Sequence, residues 1–173
     1  MNTAIGDAFC RQVRLELTSC YLYKQMASWF EGKDLPGFAN WMRKQAHEEV
    51  GHALVFFSRL TAGGQRADIG TVDPPIRDFT SVQGCFSHFV DHEKSVSGHL
   101  SCILELARKH RDAKAVQVLE WFEGENGIRG EEVDRILGRL KMASGERCPL
   151  LRTLDGDLAA RRFRLPASLR MGA

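Results

Sequence analysis

The turn-forming residues of this chain gather at only four places, residues 31–37, 62–78, about 110–112 and 144–149, and long uninterrupted segments lie between them. Four such segments of about 25 to 30 residues would each span roughly 40 Å as helix. Along each, apolar residues recur at alternating spacings of three and four, the period of a helix with one buried face. The first stripe runs Phe9, Val13, Glu16, Cys20, Tyr23, Ala27, Phe30, and the second Phe38, Met42, Gln45, Glu49, His52, Phe56, Leu60. The third runs Phe86, Phe89, Glu93, Val96, Leu100, Ile103, Ala107, and the fourth Leu119, Phe122, Asn126, Arg129, Val133, Ile136, Leu140, with Glu125 beside it.

The sequence therefore predicts an all-α fold, a long four-helix bundle. Its one long linker, between the second and third segments, carries Gly63, Gly64, Gly70, Pro74 and Pro75. About 18 residues at roughly 3.3 Å each can travel the length of such a bundle. The linker is then the crossover of an up-down-down-up arrangement, and the short first and third connections join antiparallel neighbours. After Pro149, the leucines Leu150, Leu151, Leu154 and Leu158 have helical spacing and lead to Arg161, Arg162 and Arg164, which predicts a short fifth helix. The expected division is a bundle over residues 1–145 followed by a short C-terminal helix and tail over 146–173.

Length and composition exclude several classes. A chain of 173 residues can bury a sufficient core without disulfides or a structural metal. A charged fraction of 27% with a net charge of +2 supplies no global field for nucleic acid or membrane. No apolar run approaches the roughly 18 to 20 residues of a spanning helix, and residues 1–9 lack the basic-then-apolar pattern of an export signal, so a cytoplasmic location is expected. The five cysteines, Cys10, Cys20, Cys85, Cys102 and Cys148, are scattered, odd in number and never in C-x-x-C spacing. They read as small buried hydrophobes in a reducing compartment rather than as a zinc ribbon, a rubredoxin-type iron site or a disulfide framework.

What interrupts the stripes is more informative than what builds them. Glu16, Glu49, His52 and Glu93 occupy positions where the pattern demands apolar side chains. Three glutamates, each about midway along its helix, would meet at one level of the bundle. A buried unpaired carboxylate costs several kcal/mol, while a whole domain is stable by about 5 to 15 kcal/mol. Something cationic must sit among them. A pair of divalent metal ions suits the charge and the oxygen donors, and Glu49-x-x-His52 sets a carboxylate and an imidazole on one helix face. Mixed oxygen and nitrogen donors favour iron, manganese or zinc over calcium. A glutamate from each of two helices combined with Glu-x-x-His pairs is the di-iron carboxylate pattern of helical bundles. The competing cation is Arg129, the one basic residue on the four stripes; it cannot neutralise Glu16, Glu49, Glu93 and Glu125 together, and it can equally reach along the bundle to solvent.

Residues 5–143 resemble ferritins of the non-haem bacterial and animal heavy-chain type. The resemblance rests on Leu15-Glu16-Leu17 with Tyr23 two turns on, Gln45-Ala46-His47-Glu48-Glu49-Val50-Gly51-His52-Ala53, His92-Glu93-Lys94, and Glu125-Asn126, in order on four long helices. It implies that Glu16 and His52 hold a first iron, that Glu49 bridges to a second held by Glu93, and that Tyr23 stands beside the pair, bonded to a bridging ligand. Asn126 falls where the family usually has glutamine, and Glu48 and Glu125 match ligands of a third iron. Ile128 and Arg129 replace further glutamates that in such ferritins supply the second site and a third iron, which leaves that third site weak or absent. Val50 stands where haem-binding relatives carry a ligating methionine, so no haem is expected. Gly124, Gly127 and Gly130 make a smooth stripe that suggests either close approach of another backbone or a local helix break. The acidic pair of the animal three-fold pores aligns with Val116 and Leu119, leaving Glu120 nearby.

The resemblance further implies a ferroxidase. Two iron(II) ions each give dioxygen an electron, and the ferric product passes into a hollow homo-oligomeric shell of 24 subunits. Two alternatives stay open: a catalytically weak or silent structural subunit, against which the retained Glu16, Glu49, His52 and Glu93 argue, and a DNA-protecting mini-ferritin. Arg161, Arg162, Arg164 and Arg170 are a thin version of the basic tail the latter usually carries, and read better as a solvated helix end.

Overall fold

The computed structural model describes residues 1–72, 78–143 and 148–160. Pro74, Pro75, Arg161, Arg162, Arg164 and Arg170, and the side chain of Ile128, lie outside that description. Among the described residues there are five helices, α1 Thr3–Gly32, α2 Pro36–Ala62, α3 Val82–Lys109, α4 Ala113–Met142 and α5 Pro149–Ala159. The first four form the bundle, with α1 packed along α2, α3 along α4, and α1 also against α3. The long crossover joins α2 to α3, and its described parts, residues 63–72 and 78–81, contain no helix; the expected fold and fifth helix are both present.

Local chemistry sets each boundary. Asn2 caps α1 by accepting from the Ala4 N–H at 2.9 Å, and Ser81 caps α3 by accepting from Gly84 at 3.0 Å. The two tight turns use a left-handed residue without glycine, Asp34 at φ 55° and Arg111 at φ 54°. Their carbonyl ends are closed by backbone bonds such as Leu35 N–H to Phe30 O and Asp112 N–H to Ala107 O. Asp112 then opens α4, accepting from Ala115 N–H and from Arg59, each at 3.0 Å.

The start of α2 is finished from a distance. Its N-cap, Leu35, has no side-chain acceptor, and the Phe38 N–H donates to Asp155 Oδ1 of α5 at 2.9 Å. In return, the Asn40 amide donates to the terminal carbonyls of Leu158 and Ala159. The two helix ends approach so closely at Gly37 that an added Cβ would stand 1.6 Å from the Asp155 carbonyl oxygen.

The core is in two parts. One cluster, built on Tyr23, Phe30, Phe38, Trp41, Phe86 and Phe89, includes Leu151, Leu154 and Leu158 of α5. The other is built on Phe9, Phe56, Leu104, Leu119 and Phe122. Between them, buried polar side chains interrupt the stripes: Gln12, Glu16, Ser19, Gln45, Glu49 and His52. That layer is the direct consequence of the sequence departures noted above. The α4 helix runs unbroken through Gly124, Gly127 and Gly130, and a Cβ at any of them would meet nothing within 4 Å. Neither close backbone approach nor a break accounts for these glycines within the described chain, because they lie on the open side of the helix.

Candidate metal centre

The polar layer converges from all four bundle helices. Glu16 of α1 and Glu49 and His52 of α2 are 1%, 2% and 4% exposed, and each can offer a ligand atom within 4.8 Å of the others. His52 Nδ1 lies 3.1 Å from Glu49 Oε2. On the other side, Arg129 Nη1 of α4 donates to Glu49 Oε1 at 2.8 Å and to Glu93 Oε2 of α3 at 2.9 Å. The Tyr23 hydroxyl, fully buried, donates to the remaining oxygen, Glu93 Oε1. Glu49 therefore stands in the middle, with one oxygen toward Glu16 and His52 and the other toward Arg129.

The electrostatics follow from that order. Burial, and then repulsion from Glu49, raise the Glu16 carboxyl well above the usual carboxylate range. Burial pushes Glu49 the same way, but Arg129 and His52 outweigh it and hold Glu49 below the ordinary range, so it is the ionised member. Burial also opposes the charge on Arg129, and the carboxylates of Glu93 and Glu49 overcome that opposition. Burial and the neighbouring carboxylates keep Tyr23 protonated.

Arg129 thus turns inward, the first of the two orientations open to it. It meets two of the four carboxylates; a third, Glu16, has its carboxyl raised well above the usual range by burial and by Glu49, and the fourth, Glu125, is exposed on α4. One guanidinium shared by two carboxylates, with the raised Glu16 carboxyl beside them, lessens the negative charge of the layer in a way that a count of formal charges along the stripes does not show.

The donor set still suits a transition metal. Within the layer, Gln12 Oε1, Glu16 Oε2 and Gln45 Oε1 are buried without a hydrogen-bond partner. The two amide oxygens are acceptors, as is Glu16 Oε2 when that carboxyl is ionised, and what complements buried acceptors is a cation or a donor. Two carboxylates and an imidazole match the mixed oxygen and nitrogen ligation of iron.

A family model described as "Ferritin-like domain" matches residues 7–143. The chain belongs to the ferritin family. A bacterial non-heme ferritin of Escherichia coli O6:H1 is 29% identical over 137 residues, covering 78% of this chain and 83% of that protein. One from Bacteroides fragilis strain 638R is 31% identical over 121 residues, covering 70% and 76%. Among solved structures, an open pore ferritin from Archaeoglobus fulgidus has a TM-score of 0.89 at 31% identity, covering 94% of this chain and 98% of that one. The two bacterial relatives are non-haem ferritins, the type that the sequence motifs resembled.

The other expected residues of this ferritin are distributed around the layer. Glu48 is half-buried and accepts from the Gln45 amide at 3.1 Å. Asn126 is half-buried; its Nδ2 donates to Ser97 Oγ at 3.4 Å, and it borders a cleft together with Glu93 and Arg129. Of the pore-aligned residues, Leu119 is buried in the core and Val116 packs against it, while exposed Glu120 pairs with Arg108 at 3.0 Å. Sequence reasoning missed Gln12, which donates to Glu16 Oε1 at 2.8 Å from one turn away, and Ser19, whose Oγ lies 2.7 Å from His92 Nε2. Gln12 carries a readable signal, an amide four residues before a buried glutamate on the same face.

Proposed function

We propose that this ferritin subunit stores and detoxifies iron, oxidising iron(II) with dioxygen at two metal positions between its helices and passing the ferric product into a hollow homo-oligomeric shell of 24 subunits in the cytoplasm. The observation that carries this reading is the convergence of Glu16, Glu49 and His52, with ligand atoms within 4.8 Å in the interior. Glu16 and His52 hold the first iron, Glu49 bridges, and Glu93 holds the second. Tyr23 orients Glu93 through its hydroxyl. Asn126 borders the cleft by which dioxygen reaches the pair. Glu48 and Glu125 stand outside the buried pair and serve a weak outer position for iron, and no haem takes part.

The chemistry follows from the donors. Carboxylates stabilise iron(III) over iron(II), so two iron(II) ions each lose one electron while one dioxygen takes up two electrons and two protons to give hydrogen peroxide. Few nitrogen ligands hold the ferric product, which lets it hydrolyse and move on. A catalytically silent structural subunit is the second reading, favoured by Arg129 holding two of the carboxylates at 2.8 and 2.9 Å. One comparison separates the two. Given iron(II) in air, the wild type turns amber much faster than buffer, and Glu49→Ala loses the fast phase while eluting as the same large particle. Equal rates for the two proteins, both no faster than buffer, assign the silent role.

A further inference from the structure

Arg129 does more than cancel charge. A single nitrogen, Nη1, bridges Glu49 Oε1 and Glu93 Oε2 at 2.8 and 2.9 Å, the two oxygens through which a second metal ion would join Glu49 to Glu93. Nη1 stands between those two oxygens, in the space that such an ion would fill, and one position cannot hold both. The other face of the site is open. A cavity of about 300 Å³, partly apolar through Phe89, Val90 and Val133, is bordered by Glu93, Lys94 and Asp134 as well as by Arg129 itself, and nothing lies within 4 Å of where a Gly130 Cβ would stand. The guanidinium has a space to move into, and the Asp134 carboxylate borders it.

We propose that Arg129 is a displaceable internal cation that occupies the second metal position until metal evicts it into this cavity, so that the two positions fill in order and with unequal affinity. The inference rests on the metal-binding reading of Glu16, Glu49, His52 and Glu93. The first ion binds on the Glu16, Glu49 and His52 side, where Arg129 holds no oxygen. The second must break both Arg129 contacts before it can bind. That coupling makes its affinity weaker by about tenfold or more. Eviction also gives a basis for ordering: a lone iron(II) in the first position cannot supply both electrons for peroxide, so the second arrival is the step that permits oxidation.

The test uses the assembled full chain and cobalt(II) without oxygen, read by the visible bands of bound cobalt and by equilibrium dialysis. The wild type should take one ion per chain tightly and a second about tenfold or more weakly, while Arg129→Gln should take two with affinities within about threefold of each other. Metal-free Arg129→Gln should also melt below the wild type and gain more in melting temperature from cobalt, because its carboxylates lack the built-in cation. Two equal positions in the wild type overturn the proposal even if the variant fails to fold, and so does an unchanged inequality in Arg129→Gln. If neither protein binds cobalt between the helices, the metal-site reading itself falls, and the inference with it.

Discussion

Glu16 and Glu49 are the same residue type in one buried layer, yet their neighbours push their pKa values in opposite directions. Glu16 sees burial and the charge of Glu49, whereas Glu49 sees Arg129 and His52. The consequence for stability has a definite sign. An acid whose folded pKa is raised stabilises the fold fully below its unfolded pKa and loses that contribution as pH rises through the folded value. Glu16→Gln mimics the protonated acid, so the metal-free variant should match the wild type in acid and become progressively more stable than it as pH climbs above the carboxylate range. Parallel melting curves for the two proteins from acid to neutral pH would show that Glu16 ionises normally. Glu49→Gln should behave oppositely at neutral pH, losing about 1 to 3 kcal/mol because Arg129 keeps only one buried carboxylate. That most stripe positions would be buried was legible in the sequence, since period and burial are linked by helix geometry, whereas Cys20, Glu93, Asn126 and Arg129 of the same stripes are half-buried. The direction Arg129 takes was not, because a long side chain can turn either way from one helical position, and Gln12 escaped notice because an uncharged amide does not break an apolar pattern sharply.

At the scale of the element, the four segments and the fifth helix were readable from turn residues and periodicity alone. Their mutual capping was not. Asp155 supplies the acceptor that α2 lacks, from 117 residues away in the chain, and no local pattern encodes a partner so distant. Gly37→Ala should therefore destabilise strongly, by about 3 kcal/mol or more, since its Cβ would collide with α5 backbone rather than with a movable side chain. Gly127→Ala, on an open face of α4, should stabilise by up to about 1 kcal/mol. The opposite signs are the check, read by thermal melting of the two variants. Asp112 offers a second element-level prediction. Burial raises its pKa, but the Ala115 N–H and Arg59 lower it by more, for a net shift downward. A depressed pKa gives stability present above the unfolded value and lost as pH falls through the folded one. Asp112→Ala should cost about 0.5 to 2 kcal/mol at neutral pH, and the part owed to charge should vanish in acid.

For the whole molecule, large apolar side chains of the described residues stand exposed on α1 and α2 and again at the close of α4 and the start of α5. On α2, Val50, Leu54 and Phe57 share one face and are 39%, 49% and 38% exposed, and Tyr21 of α1 is 51% exposed. The Lys24 to His47 contact of 3.3 Å across the α1 and α2 seam puts Tyr21 level with Val50. At the other end, Met142 of α4 and Leu150 of α5 are 71% and 51% exposed. Clustered apolar residues on a surface mark contact sites, and symmetry limits what each can do. A patch that pairs with itself across a two-fold axis closes at a dimer. A shell needs at least one further kind of contact, so the two patches should fail differently. In the proposed shell, with the larger face on α1 and α2 taken as its two-fold contact, Leu54→Glu with Phe57→Glu should leave a helical single chain, whereas Met142→Glu with Leu150→Glu should leave dimers that cannot close. Light scattering on the two double variants reads the difference directly. If both still form the large particle, these surfaces do not hold it together, and the contacts that do must lie on the polar faces of the bundle.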